Sequence, residues 1–188
     1  MKIIVDAMGG DHAPQAIVAG CVEAIKELDV HLVLIGMQEQ VEAELKKYSY
    51  DKSRVTLVNA PEVVDMHDSP VTALRKKRNS SISLGINLLK DPSYAAFVSA
   101  GNTGACVAVA TVNLGMLPGV DRPGIGLVIP TLNKLSFLID VGANVDPKPE
   151  HLLQSALMAQ VYSREVLGVT NPSVGLLNIG AEESKGTD

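Results

Sequence analysis

The stretch whose residues could do chemistry most directly is Phe97-Val98-Ser99-Ala100-Gly101-Asn102-Thr103-Gly104-Ala105. An apolar strand ends at Ser99, Gly101 and Gly104 free the backbone, and an apolar helical run from Cys106 to Leu117 follows. Glycines let consecutive N–H groups turn toward one point, and a helix N-terminus adds partial positive charge. Ser99, Asn102 and Thr103 can add side-chain hydrogen bonds. This pattern suits an anion cradle, and it equally suits an ordinary strand-to-helix turn capped by Asn102 or Thr103.

Other polar, glycine-rich loops also follow apolar runs: Asp6 to His12, Asp140 to Asp146, and Asn178 to Gly186. In an open parallel sheet, ligands bind at the carboxyl ends of the strands, which would put these loops on one edge with the Ser99 loop. His12 could donate a proton or hydrogen-bond an anion at the start of the first helix. Arg75-Lys76-Lys77-Arg78 places four cations in a row, which repel one another unless an anion or an acidic partner lies nearby. Asp140, Asn144 and Asp146 could approach a cation, but Asp146-Pro147-Lys148-Pro149 reads as a helix entry and no metal site is assigned. No G-x-G-x-x-G follows a strand, and neither a G-x-x-x-x-G-K-[ST] loop nor a G-x-S-x-G elbow occurs. That argues against a dehydrogenase, an NTPase and a covalent acyl-enzyme, and no cofactor is called for.

Composition narrows the class further. The 188 residues are 46% hydrophobic, with 3% aromatics, no Trp and net charge −5. Such a chain builds an aliphatic core and offers no stacking platform for single-stranded nucleic acid. Cys21 and Cys106 stand far apart in apolar helical surroundings and read as small buried hydrophobes of a reducing compartment. The longest apolar run, Gly104 to Leu117, is shorter than the ~20 residues of a membrane span. The chain opens on a strand rather than a signal peptide, so a cytoplasmic location is expected.

The elements that must hold these loops alternate. Strands are predicted at Lys2–Asp6, His31–Ile35, Val55–Val58, Ala95–Ser99, Gly126–Pro130, Ser136–Val141 and Val174–Ile179. Helices are predicted from Asp11 as cap through Leu28, from Gln38 to Tyr48 on the surface, and from Pro70 behind the Ser69 cap through the basic cluster. Three more run from Ser80-Ser81 to Leu89, behind Thr103, and from Pro149 to about Leu167. The alternation implies one α/β domain over residues 1–188, with a parallel sheet covered on both faces. The last strand has no helix after it, so the natural chain is expected to continue past Asp188.

Val5 to Pro14, Arg75 to Ser81, Ser99 to Ala105, Gly119 to Pro123, Asp140 to Asp146 and Leu177 to Gly180 together, and in this order, closely resemble the acyl-acyl-carrier-protein:phosphate acyltransferase family of bacterial phospholipid synthesis. The resemblance implies transfer of a long-chain acyl group from the acyl carrier protein thioester to inorganic phosphate, giving acyl phosphate. It implies a three-layer α/β sandwich with a mostly parallel sheet, similar to phosphotransacetylases and to isocitrate and isopropylmalate dehydrogenases. It also implies a cytoplasmic homodimer, peripherally membrane-associated, that continues for a further block after Lys185-Gly186. On this reading Ser99, Gly101, Asn102, Thr103 and Gly104, with Ser80 and Asn144, bind phosphate or substrate. Arg75 and Lys77 are cationic clamps, Lys185 resembles a family active-site lysine, and His12 is a further catalytic candidate. The basic cluster could instead steer the acidic carrier protein. The alternatives are a phosphotransacetylase acting on coenzyme A thioesters and a non-catalytic anion- or nucleotide-binding module.

Overall fold

The computed structural model describes residues 1–132, 134–144, 146–178 and 180. The chain folds as two compact units, Met1–Gly115 and Met116–Asp188, where its composition offers no boundary.

In the first unit four parallel strands, β1 (Lys2–Asp6), β2 (His31–Gly36), β3 (Val55–Asn59) and β4 (Tyr94–Val98), lie in the order β3-β2-β1-β4. Its helices are α1 (Gln15–Glu27), α2 (Gln38–Leu45), α3 (Pro70–Arg75), α4 (Ser81–Leu88) and α5 (Thr103–Leu114). Side chains alternate across a strand, so β1 and β2 feed two cores at once. Val5, Leu32 and Leu34 pack with Val18, Val22 and Ile25 of α1 and with Val41 and Leu45 of α2. Ile4, Val33 and Ile35 face the other way, toward Leu84 and Leu88 of α4. Each such fully buried side chain stabilises the fold by about 1.5–3 kcal/mol. Helices on both faces explain why β1 and β2 are apolar at consecutive positions, Ile3 to Val5 and Leu32 to Ile35. Registers such as Ile4 opposite Val33 and Ile4 opposite Phe97 bring the carboxyl ends of β1, β2 and β4 level.

Local chemistry overrides the sequence reading at three helices. Asp11 does not cap α1, which is entered through Pro14, with His12 and Pro14 carbonyls accepting the first N–H bonds from Ala16 and Val18. α2 stops at Leu45, short of Tyr48, and is not simply exposed, because Val41, Glu44 and Leu45 are buried. The basic cluster is not one helical turn. α3 ends at Arg75, and Lys76 and Lys77 N–H groups both bond back to the Thr72 carbonyl, closing the helix.

In the second unit β5 (Gly126–Pro130) and β6 (Leu135–Ile139) pair antiparallel, not parallel as the alternation suggested. The 131–134 connection is the cause, since parallel strands need a crossover of a dozen or more residues. α6 (Pro149–Glu165) starts with proline in its first turn, and Tyr162 on it stacks against Phe137 of β6 at 4.2 Å between ring centres. The strand predicted at Val174–Ile179 is absent over 174–178, where Leu176 and Leu177 are 77% and 78% exposed, and Ile179 lies outside the described residues. An apolar run becomes a strand only beside another strand's edge. Among the described residues no helix is long and apolar enough to cross a membrane.

Candidate functional site

The strand order β3-β2-β1-β4 creates a switch point. The chain leaves β1 toward β2 and β3 on one side, and β4 returns on the other. Connections diverge at the carboxyl ends of β1 and β4, leaving the crevice in which open α/β sheets hold ligands. Two of the glycine loops singled out by the sequence meet there.

Ser99 Oγ donates to Asp6 Oδ2 at 2.7 Å, and the Met8 N–H donates to Asp6 Oδ1 at 3.0 Å. The Gly101 N–H in turn donates to Ser99 Oγ at 3.2 Å. Gly101 has φ +126, a conformation that side chains resist. A Cβ on Gly9 would stand 2.6 Å from Asp6 Oδ2 and 2.8 Å from the Gly101 carbonyl oxygen, so only glycine lets the two loops touch. Burial pushes the Asp6 carboxyl above its ordinary 3.8, outweighing the hydrogen bonds from Ser81, Ser99, Met8 and Gly9. The Cys106 thiol, beside Ser99, is likewise pushed up, chiefly by burial.

Asn102 is the N-cap of α5, its Oδ1 accepting from the Ala105 N–H at 3.1 Å. Its Nδ2 donates to the carbonyls of Asp65, Met66 and Asp68 at 2.9–3.1 Å. Both ends of the amide are thus spent on protein, which corrects the expectation that Asn102 contacts phosphate. Thr103 and Gly104, by contrast, are exposed at the first two positions of α5, where N–H groups have no intrahelical acceptor.

Lys77 is corrected too. Its Nζ donates to Asp68 Oδ2 at 2.5 Å and Asp65 Oδ2 at 3.1 Å, so it is no free clamp. The hydrogen bond with Asp68 raises the ammonium's pKa and lowers that of the carboxyl. The ion pairs tie Lys77 to the same 65–68 segment whose carbonyls accept from Asn102. Arg75 is exposed and, among the described residues, in no ion pair. Ser80 is fully buried and is the N-cap of α4, its Oγ accepting from the Ser83 N–H and donating to Ser83 Oγ. A group with no exposure cannot take substrate, so Ser80 leaves the site. His12 is exposed in the turn before α1. Lys185 lies outside the described residues.

Asn144 belongs to the second unit, where its Nδ2 donates to the Pro123 carbonyl and to Asp140 Oδ2, each at 2.9 Å. It braces a loop and does not present its amide to a ligand. Burial pushes the Asp140 carboxyl up, but N–H donors from Ala143, Ile125 and Asn144 prevail and hold it below 3.8. Those donors occupy the oxygens a cation would need. A cavity of about 660 Å³ in this unit is lined by Leu138, Leu152 and Ala156 with Arg122, Asn144 and His151.

Sequence reasoning missed Asp6 as the partner of Ser99 and the acidic pair that takes Lys77. The second left only a weak trace, Asp65 and Asp68 standing 12 and 9 residues before Lys77. The first spans 93 residues and left none.

The family model described as "Fatty acid synthesis protein" matches residues 1–188. The chain belongs to this family. Within it, relatives named phosphate acyltransferase share 49% identity over 187 residues in Halothermothrix orenii and 50% over 187 residues in Dictyoglomus thermophilum, each match covering 99% of this chain and 56% of the relative. The chain therefore spans about half the length of the curated relatives it matches. Among solved structures, a phosphotransacetylase from Streptococcus pyogenes superposes with TM-score 0.63 at 20% identity, over 90% of this chain and 55% of that one. A phosphotransacetylase from Staphylococcus aureus gives 0.60 at 19% identity, over 87% and 52%. The likeness is one of fold: this family member shares the α/β architecture, with its mostly parallel sheet, of the phosphotransacetylases.

Proposed function

We propose that the full-length protein transfers a long-chain acyl group from an acyl carrier protein thioester to inorganic phosphate, and that the Ser99–Gly104 loop holds the phosphate. The observation carrying this reading is the meeting of two glycine loops at the β1–β4 switch point, in a chain half-identical to relatives named phosphate acyltransferase. The exposed Thr103 and Gly104 N–H groups and the dipole of α5 supply donors for an anion without any enzyme nucleophile.

Phosphate is itself a competent nucleophile. One of its oxygens attacks the thioester carbonyl carbon, the C–S bond breaks, and the phosphate's proton passes to the departing sulfur. The enzyme's work is to orient the anion and to stabilise the negative charge that develops on the carbonyl oxygen. Arg75 and Lys185 are the cations assigned to that charge or to the acidic carrier protein, and His12 is the proton-transfer candidate. A cytoplasmic homodimer resting on the membrane surface suits a product handed on to phospholipid assembly.

The test offers full-length protein phosphate with either acyl carrier protein thioester or acyl-coenzyme A. Acyl phosphate from the first donor, at a kcat/KM well above the second, is expected. The reverse preference would make the protein a phosphotransacetylase-type enzyme, the reading its fold neighbours favour. Binding of phosphate with turnover of neither would make it an anion-binding module.

A further inference from the structure

Asp6 is a costly way to brace a loop. It is 1% exposed, and among the described residues no Lys, Arg or His pairs with it. Its bond from the Met8 N–H asks only for one acceptor, which asparagine would supply as well. The second oxygen does what asparagine cannot do at the same time: Oδ2 accepts the hydrogen of Ser99 at 2.7 Å. With that hydrogen committed, Ser99 Oγ faces the Gly101 N–H as an acceptor, and Gly101 is the residue whose φ of +126 turns the chain into α5.

We propose that Asp6 is the positioning residue of the cradle: by taking the Ser99 hydrogen it fixes Ser99 Oγ as the acceptor that aims the Gly101 N–H and sets the turn presenting the Thr103 and Gly104 N–H groups. This rests on the reading that the cradle takes phosphate. Asp6 touches no reacting atom; it braces its own loop through the Met8 N–H and reaches the Gly101 turn through Ser99. Asparagine at this position keeps the shape and reverses the polarity. With its oxygen on the Met8 N–H, its Nδ2 donates to Ser99 Oγ in competition with the Gly101 N–H, and the hydroxyl hydrogen turns to the Gly101 carbonyl 3.2 Å away.

The experiment measures equilibrium binding of inorganic phosphate, and KM for phosphate and for the thioester, in full-length wild type, Asp6→Asn, Ser99→Ala and the double variant. Misaimed donors can cost up to about 10²-fold, so each single substitution should weaken phosphate binding by on the order of 10- to 10²-fold with the thioester KM unmoved. The double variant should be no worse than either single one, because one acts through the other. A loss from Asp6→Asn that adds to that from Ser99→Ala, or phosphate bound as in wild type, overturns the role. Melting of Asp6→Asn no lower than that of wild type separates misaiming from unfolding. Wild-type protein that binds phosphate without transferring acyl groups ends the functional reading alone, and the binding cycle still judges Asp6. Wild-type protein that binds no phosphate ends both.

Discussion

At Asp6 a structural cost and a functional use sit on one carboxyl. Burial raises its pKa above 3.8, so the ionised form is disfavoured in the folded chain. The sign follows from linkage. The favourable contribution is fully present below 3.8, where the unfolded chain also binds the proton, and is lost as pH rises through the higher folded value. Asp6→Asn carries no such loss. Its stability advantage over wild type, read from urea unfolding at a series of pH values, should widen from acid toward neutral pH; a gap that is constant or widens on acidification contradicts this. Greater stability with weaker phosphate binding is the trade expected of a residue kept for function. The buried Cys21 thiol, pushed up to about 11 by burial, shows the contrasting case of a group held inert in the α1 core.

At the scale of elements, Asn102 joins α5 to the 65–68 segment, and its two ends can be tested apart. At ordinary N-caps asparagine and aspartate are about equivalent, and loss of the cap to alanine costs about 0.5–2 kcal/mol. Asn102→Asp keeps the acceptor for the Ala105 N–H but cannot donate to the carbonyls of Asp65, Met66 and Asp68. Chemical denaturation should therefore show Asn102→Asp clearly destabilised, and Asn102→Ala more so. Equal stability of Asn102→Asp and wild type would mean the grip on the segment contributes nothing. The same residue shows what was legible beforehand. The cap, the Ser69-Pro70 start of α3 and the Ser80 start of α4 could be read because caps depend on residues three apart. The partner of Ser99 could not, because it depends on how loops from different crossovers converge; those of Lys77, on the same connection between β3 and β4, left only the order of their charges. Arg54 makes the same point. It donates to the carbonyls of Ile25, Leu28 and Val30 and closes the end of α1 from 24 or more residues away.

At the scale of the molecule, β-branched runs alternating with helices disclosed the parallel sheet, and the order β3-β2-β1-β4 then located the crevice. Alternation could not disclose that β5 and β6 turn back on each other, since that is decided by a short connection. Buried apolar side chains lie between Ile4 and Val109, so the first unit carries its own core. A fragment of residues 1–115 should unfold in urea as one cooperative transition, and a broad, non-cooperative loss of circular dichroism would contradict that. The central claim is that phosphate held at the switch point attacks the thioester directly. It is tested by supplying the full-length protein with phosphate labelled with heavy oxygen at every position, together with acyl carrier protein thioester, and weighing the acyl phosphate. Direct attack predicts that the product keeps every labelled oxygen and that no acyl group becomes attached to the protein when phosphate is withheld. Loss of label, or a protein-bound acyl group that phosphate later removes, would contradict it.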